Sequence, residues 1–529
     1  MRRTALNIIA LLASLGTATT AHAKWFEATS KHFVVYSDRG TEQSRIMATK
    51  LERFDAALRQ LTSRSDDGTS PSARVTIFMV QSPLDVSRLF GKGGSYVGGF
   101  YSSIAGASYA IVPPFLVQET GENNGSEGIL LHEYAHHFVS ENQSVLYPIW
   151  LNEGFAEFVS TARFEKNGSI GLGLVGEWRG WQLNHQVTVP VELLVDSQAY
   201  FNRREVAFDT FYPRSWLLYH MLTFEPSREG QLVAYAGALS RGLNDRDAAI
   251  AAFGDLRKLE LDLQAYGRKV SMPYYLIKGD TLPPVNVSVR ELSSGASEII
   301  PVWMRLRRGV EDKQEESVAG EARAIGARYP QDPFVQTVLA KAEFDAEHFD
   351  AAMAAAESAL TADPNAIEAQ VLKGRSLLGK ANEGNATSAD WNAVRAAFLK
   401  ANALDADHPL PLFYYYLSYL NQGFKPTGNA LQALHRSLEL APYDRGLREE
   451  VALSQIDRAQ FDEAKATLRM LMRDPHLPVG AARVRAAVEK LDERNAVAAR
   501  KLLQMTNDEF EKRGKEVPAD TGEGRTAES

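Results

Sequence analysis

Residues 126–141 read SEGILLHEYAHHFVSE, and residues 150–158 read WLNEGFAEF. The first stretch opens on Ser126, a residue type that favours helix N-caps, and it predicts a helix. On that helix His132 and His136 stand four apart, so they project from one face, one turn from each other. Two neutral imidazoles at that spacing reach a single divalent cation, and Glu133 falls beside the place where a water on that cation would lie. The second stretch predicts another helix, returning antiparallel after a short connection. A zinc ion with catalytic capacity takes three protein ligands and keeps a fourth position open. Glu153 is the candidate third ligand. Glu157, four residues later on the same face, is placed to hold a ligand histidine through its other ring nitrogen, and Asn152 sits in the same layer behind the ligands. His137 points about 100° away around the helix and is expected to pack or support rather than ligate.

The composition restricts the metal chemistry further. The chain has 529 residues, a formal net charge of −8 and no cysteine. Disulfides, iron–sulfur clusters, thiolate zinc sites and cysteine nucleophiles are therefore excluded, and any metal must use His, Asp or Glu. The acidic balance argues against nucleic acid as the main partner.

Outward from the two motifs, the chain changes its grammar several times. Residues 1–23 (MRRTALNIIALLASLGTATTAHA) carry Arg2 and Arg3, a short apolar run and the small-x-small end Ala21-His22-Ala23. They read as a secretory signal peptide, so the mature chain is expected to be exported, to the periplasm or beyond. No later run is long and apolar enough to predict a membrane span. From residue 24 to about 275 the pattern is mixed, an α+β grammar. HFVVYSD (32–38) and ARVTIFMV (73–80) read as strands, with helical spacing over 41–62 between them. GGFYSSIAGASYAIVPP (98–114) reads as a hairpin or edge strand, followed by helices around 126–141, 148–164, 206–224, 229–240 and 245–270. Residues 276–299, with Pro283-Pro284 and a Ser/Gly run, read as a linker holding one possible strand, VNVSVREL.

Beyond about residue 300 the strand signals stop and a period appears. Prolines at 364, 409, 442 and 475 read as closing helical pairs, the last two steps both being 33 residues. Ala340, Ala352 and Ala359 precede Pro364 by 24, 12 and 5 residues, and Ser418, Ala430 and Ser437 precede Pro442 by the same offsets. Small residues at fixed offsets let paired helices approach closely, and such pairs must stack to bury their apolar faces. Residues 513–529 are polar and read as a disordered tail.

The HExxH stretch followed by WLNEGFAE resembles the gluzincins, the zinc metallopeptidases typified by thermolysin and aminopeptidase N. The layout with helical repeats is closer to bacterial peptidase MA-like proteins. Residues 300–512 resemble the tetratricopeptide repeat. The resemblance implies an α+β thermolysin-like catalytic domain over 24–275 followed by an all-α tetratricopeptide-repeat solenoid. It implies one Zn2+ on His132, His136 and Glu153, with Glu133 as general base in peptide-bond hydrolysis. It also suggests Tyr212, 59 residues after Glu153 in FYPRSWLLYHML (211–222), as donor to the transition-state oxyanion, with Tyr219 and His220 as competitors. The Gly-x-Met-Glu-Asn strand of aminopeptidases is missing, which fits an endopeptidase or an unusual specificity better. The expected partners are a peptide or protein substrate, met by backbone pairing at the edge strand, and a protein bound by the repeats, where Phe413-Tyr414-Tyr415-Tyr416 could line a groove. The rival reading is an envelope scaffold or partner-binding protein built from the same parts without turnover.

Overall fold

A computed structural model describes residues 24–66, 70–91, 99–113, 118, 120–122, 125–141, 147–202, 209–311, 313–473 and 478–516. The expected signal peptide (1–23), most of the expected tail and Pro475 lie outside the described residues. The chain is a mixed α/β molecule with a six-stranded sheet in its N-terminal part and a mostly helical C-terminal part.

The sheet begins with β1 (Phe26–Thr29) and β2 (Phe33–Ser37), then α1 (Thr41–Leu61), β3 (Val75–Met79) and α2 (Pro83–Phe90). The region read as a hairpin forms β4 (Phe100–Ser102) and β5 (Tyr109–Val112), paired antiparallel. The spatial order is β10-β1-β2-β3-β5-β4, with β10 (Ser288–Glu291) supplied from far along the chain. β2, β3 and β5 run parallel, with Val35 opposite Ile77 and Ile77 opposite Ala110. β4 is therefore an edge.

Alternation along these strands gives the sheet two apolar faces. Phe33, Val35, Val75, Ile77, Ala110 and Val112 join a core with α1 and with α3 (Gly125–Glu141) and α4 (Ile149–Ser160). Tyr36, Phe78, Tyr109 and Ile111 face the other way and are covered by the C-terminal helices.

A second sheet, which the sequence pattern did not predict, draws one strand from before α3 and three from after α4. It is a four-stranded antiparallel unit of β6 (Gly121–Glu122), β7 (Arg163–Phe164), β8 (Ile170–Leu172) and β9 (Tyr275–Ile277), in that order. Strands of two or three residues are too short to show alternation. The helix expected over 148–164 accordingly stops at Ser160. Between β8 and β9 the chain forms α5 (Glu177–His185), α6 (Val191–Leu194), α7 (Ser197–Asn202), α8 (Phe211–Phe224), α9 (Gln231–Ser240), α10 (Asp245–Phe253) and α11 (Leu256–Gly267). The single helix expected over 245–270 is broken at Gly254, whose φ is +81°, and restarts where Asp255 accepts from the amides of Arg257 and Lys258.

The helical part runs through α12 (Ser294–Arg308), α13 (Glu315–Gly326), α14 (Pro333–Asp345), α15 (Phe349–Ala362), α16 (Ile367–Asn382), α17 (Ser388–Leu404), α18 (Pro409–Asn421), α19 (Gly428–Leu440), α20 (Arg445–Asp457), α21 (Phe461–Leu468), α22 (Pro478–Asp492), α23 (Ala496–Gln504) and α24 (Asn507–Glu516). From α13 to α20 each helix packs on the next, and α12, α14, α16 and α18 also touch in series. Ala340, Ala352, Ala359, Ser418, Ala430 and Ser437 are all 0% exposed, at the helix contacts. Pro364 and Pro442 follow helices, but Pro409 opens α18, where its missing N–H costs nothing. The segment read as a linker, 276–299, is structured: it completes β9, forms β10 and begins α12.

Candidate metal centre

Helix α3 is held on several sides at once. Tyr134 donates to Asp55 Oδ1 (2.7 Å), the Lys50 ammonium pairs with the buried Glu127 carboxylate, and the Tyr101 hydroxyl is hydrogen-bonded to His137 Nδ1 (2.5 Å). Leu130, Leu131, Ala135 and Phe138 enter the main core. Ser126, read as the N-cap, lies instead inside the first turn, because the helix already includes Gly125.

Helix α4 is buried along almost its whole length. Trp150 donates from Nε1 to the Tyr235 hydroxyl (3.1 Å), which fixes the helix about its axis. Gly154 allows α8 to close on it: a Cβ there would sit 2.6 Å from the Ser215 carbonyl oxygen. This contact brings the start of α8, with Tyr212, toward the two histidines.

Three donor atoms converge between α3 and α4. His132 Nε2 and His136 Nε2 are 3.1 Å apart, and Glu153 Oε2 is 3.2 Å from the first and 3.4 Å from the second. Among the described residues they are the one group of three such side chains with ligand atoms gathered this closely. A tetrahedral ion with bonds of about 2.0 Å sets its ligands about 3.3 Å apart, so the donor set fits zinc in kind and in spacing. Glu153 is 1% exposed, and the histidines are half-buried. Burial pushes the Glu153 carboxyl up, but the neighbouring His136 and His132 outweigh it and hold the group far below the ordinary carboxylate range. Burial likewise pulls His132 down, and its hydrogen bond to Glu153 with the charges of Glu157, Glu153 and Glu133 brings it back up to about 9. This concentrated negative field stabilises a cation at the imidazoles, whether a proton or a metal.

Glu157 Oε1 lies 3.3 Å from His132 Nδ1. Its carboxylate is also gripped by Arg179 of α5, with Nε donating to Oε2 at 2.7 Å and Nη2 to Oε1. The same guanidinium lies over the Tyr212 ring, 5.4 Å from its centroid. Arg179 therefore ties the carboxylate behind His132 to the tyrosine beside the site. No motif or spacing in the sequence pointed to it. Asn152 donates to the Tyr147 carbonyl (3.3 Å), so the hydrogen bond it makes steadies the turn into α4.

Tyr212 is 38% exposed, with its ring centroid 6.5 Å from that of His132. Burial and the Glu153 charge push its hydroxyl well above the ordinary phenol range, so it stays protonated. Its two competitors face elsewhere. Tyr219 packs on Phe155 and Phe158, and His220 is buried between the Tyr266 hydroxyl (2.8 Å) and the Gly173 and Pro273 carbonyls. His137 is buried against Tyr101, Tyr134 and Tyr443 and takes no part in the donor set.

No family model matches this chain, and no curated protein matches it.

Proposed function

We propose that this chain is an exported zinc peptidase of gluzincin type, with a tetratricopeptide-repeat solenoid as its C-terminal part. The convergence of His132, His136 and Glu153, with Glu133 next to the first ligand, carries this reading. The equal burial of small residues at the 24-12-5 offsets supports the repeat assignment. The composition of residues 1–23 supports export, and no described helix is long and apolar enough to cross a membrane.

The two imidazoles and Glu153 would hold the ion. When bound, zinc supplies Lewis acidity and a water of lowered pKa. Glu133 takes a proton from the attacking water and returns it to the leaving amine. Tyr212, protonated and next to the ligands, donates to the oxygen on which charge develops. Glu157 receives the Nδ1 side of His132, which leaves Nε2 as the ligand atom, and Arg179 keeps that carboxylate in place. Burial of Glu153 excludes water from one side of the donor set and keeps its negative charge effective.

The test combines zinc content with hydrolysis of an unstructured protein. Wild type should bind one zinc per chain and cleave casein in a chelator-sensitive way, and Glu133→Gln should keep the zinc and lose the cleavage. Equal cleavage by Glu133→Gln refutes the mechanism. Stoichiometric zinc with no cleavage by wild type moves the assignment to a metal-stabilised scaffold.

A further inference from the structure

The β4–β5 hairpin leaves the sheet and enters the helical part. Its turn, Ile104–Ala107, borders a cavity with Thr337 of α14, Arg375 of α16, and His408 and Tyr414 at α18. Ala105 is 1% exposed and packs with Ala441 and Leu447. Gly106 has φ +65°, and a Cβ there would meet His408 Cε1 at 2.6 Å, so the turn is fitted to the helices at backbone distance. The inner side of α14, α16 and α18, where a repeat domain would take a peptide, receives a turn of its own chain.

One carboxylate fastens this contact. Asp444 Oδ1 accepts from the Leu447 amide (2.9 Å) and caps α20, while Oδ2 accepts from the Ala105 amide (2.9 Å) across 339 residues of sequence. The neighbouring Tyr443 places its ring 5.1 Å from that of His137, next in sequence to the ligand His136. From the other side, Tyr101 of β4 is hydrogen-bonded to the same histidine. The start of α20 thus touches the hairpin and the metal helix together, and the hairpin touches the metal helix through Tyr101.

β4 has three residues and one paired neighbour. Such a strand is weakly held by its own ladder, and its outer edge, unpaired among the described residues, is the kind that pairs with an extended peptide. We propose that the helical part positions this substrate-docking edge, with Asp444 as the positioning residue. The inference rests on the peptidase reading of the metal centre. The helices then act within the molecule, setting the register between the edge strand and the zinc ligands.

Asp444→Asn separates the two jobs of the carboxylate. Its amide oxygen can still cap α20, but one of the two backbone amides loses its acceptor. In the full-length zinc-loaded protein, hydrogen exchange over residues 100–112 should quicken about tenfold, the size expected for losing a hydrogen bond to a charged acceptor. KM for an unstructured fluorogenic peptide should rise about as much, with kcat and zinc content within about twofold of wild type. Gly106→Ala disturbs the same contact from the hairpin side and should give the same signature. Unchanged hairpin exchange in both variants overturns the proposal, as does faster exchange with unchanged KM or an equal loss in kcat. If wild type cleaves no peptide, the peptidase reading and the docking role fall together, while the exchange result still decides whether Asp444 holds the hairpin.

Discussion

Arg179→Met tests whether the centre depends on support from outside its two motifs. Glu157 is buried, and its two oxygens are shared between Arg179 and His132 Nδ1. Removing one partner of a fully buried ion pair costs about 3–5 kcal/mol. Here the Arg179 side chain is 26% exposed and Glu157 keeps His132, so about 2 kcal/mol of folding stability is the expected loss. The effect on the metal is separate. Without the guanidinium, Glu157 is free to turn from Nδ1, and loss of an outer partner typically weakens metal affinity about 10- to 100-fold. Competition with a chromophoric chelator at neutral pH should show zinc bound about tenfold more weakly by Arg179→Met. Arg179→Lys should recover only part of this, because an ammonium cannot reproduce the two-pronged grip. Zinc affinity within about twofold of wild type for Arg179→Met would refute the reasoning and leave Arg179 as an ordinary ion pair.

Three further outcomes follow from the same geometry. Gly154→Ala forces a Cβ to within 2.6 Å of the Ser215 carbonyl, so calorimetry should record about 1–3 kcal/mol of destabilisation; an unchanged melting temperature would show that α4 and α8 are not in close contact. Tyr212→Phe should lower kcat about 100-fold while zinc content stays level, and full activity would remove the hydroxyl from the reaction. His220 and His408 are each pulled down to about 4 by burial, against about 6.5 in an unfolded chain, so the folded state keeps them neutral while the unfolded state takes up protons first. The stability tied to each is present above about pH 6.5 and is lost as pH falls toward 4, at most about 3 kcal/mol per histidine, so urea midpoints should drop between about pH 7 and about pH 4.5.

The centre was legible because its geometry is local. A four-residue step on a helix fixes the His132–His136 relation whatever the rest of the fold does, and Glu153 comes from a second helix one connection away. Arg179 was not legible, since it reaches Glu157 from α5 and no periodicity links the two helices. The same division holds for the fold. β2, β3 and α1 announce themselves by composition and period, whereas β6 to β9 have too few residues to form a pattern. β10 showed only as a possible strand inside a proline-rich stretch. Its pairing with β1, Phe26 opposite Glu291, is a long-range fact that short-range signals cannot carry. The period of the helical part placed its small residues correctly, but could not say that Pro409 starts a helix while Pro364 and Pro442 follow one.

The pairing of β1 with β10 also changes what the two parts of the chain are to each other. A linker would let the helices swing free, but 276–299 delivers a sheet strand and leads directly into α12. Trp303 of α12 then stands edge-on to Tyr36 and Phe78, with ring centroids 5.1 and 5.0 Å away. Aromatic pairs in that geometry add to an already large burial, and Val302, Val318 and Val335 extend it over the same face. Without these helices Tyr36, Phe78, Tyr109 and Ile111 on the outer face of the central sheet would lose the apolar side chains that cover them. The chain has no cysteine with which to staple the sheet, so the helices replace covalent restraint with buried area. That makes the edge strand beside the candidate metal centre a dependent part. Its tip is fixed by Asp444, its inner neighbours are covered by α12 to α14, and its Tyr101 is hydrogen-bonded to His137 of α3. The donor atoms of the candidate centre lie within residues 132–153, while contacts from both ends of the chain, Asp55 and Lys50 on one side and Tyr443 on the other, hold the helix that carries its two histidines.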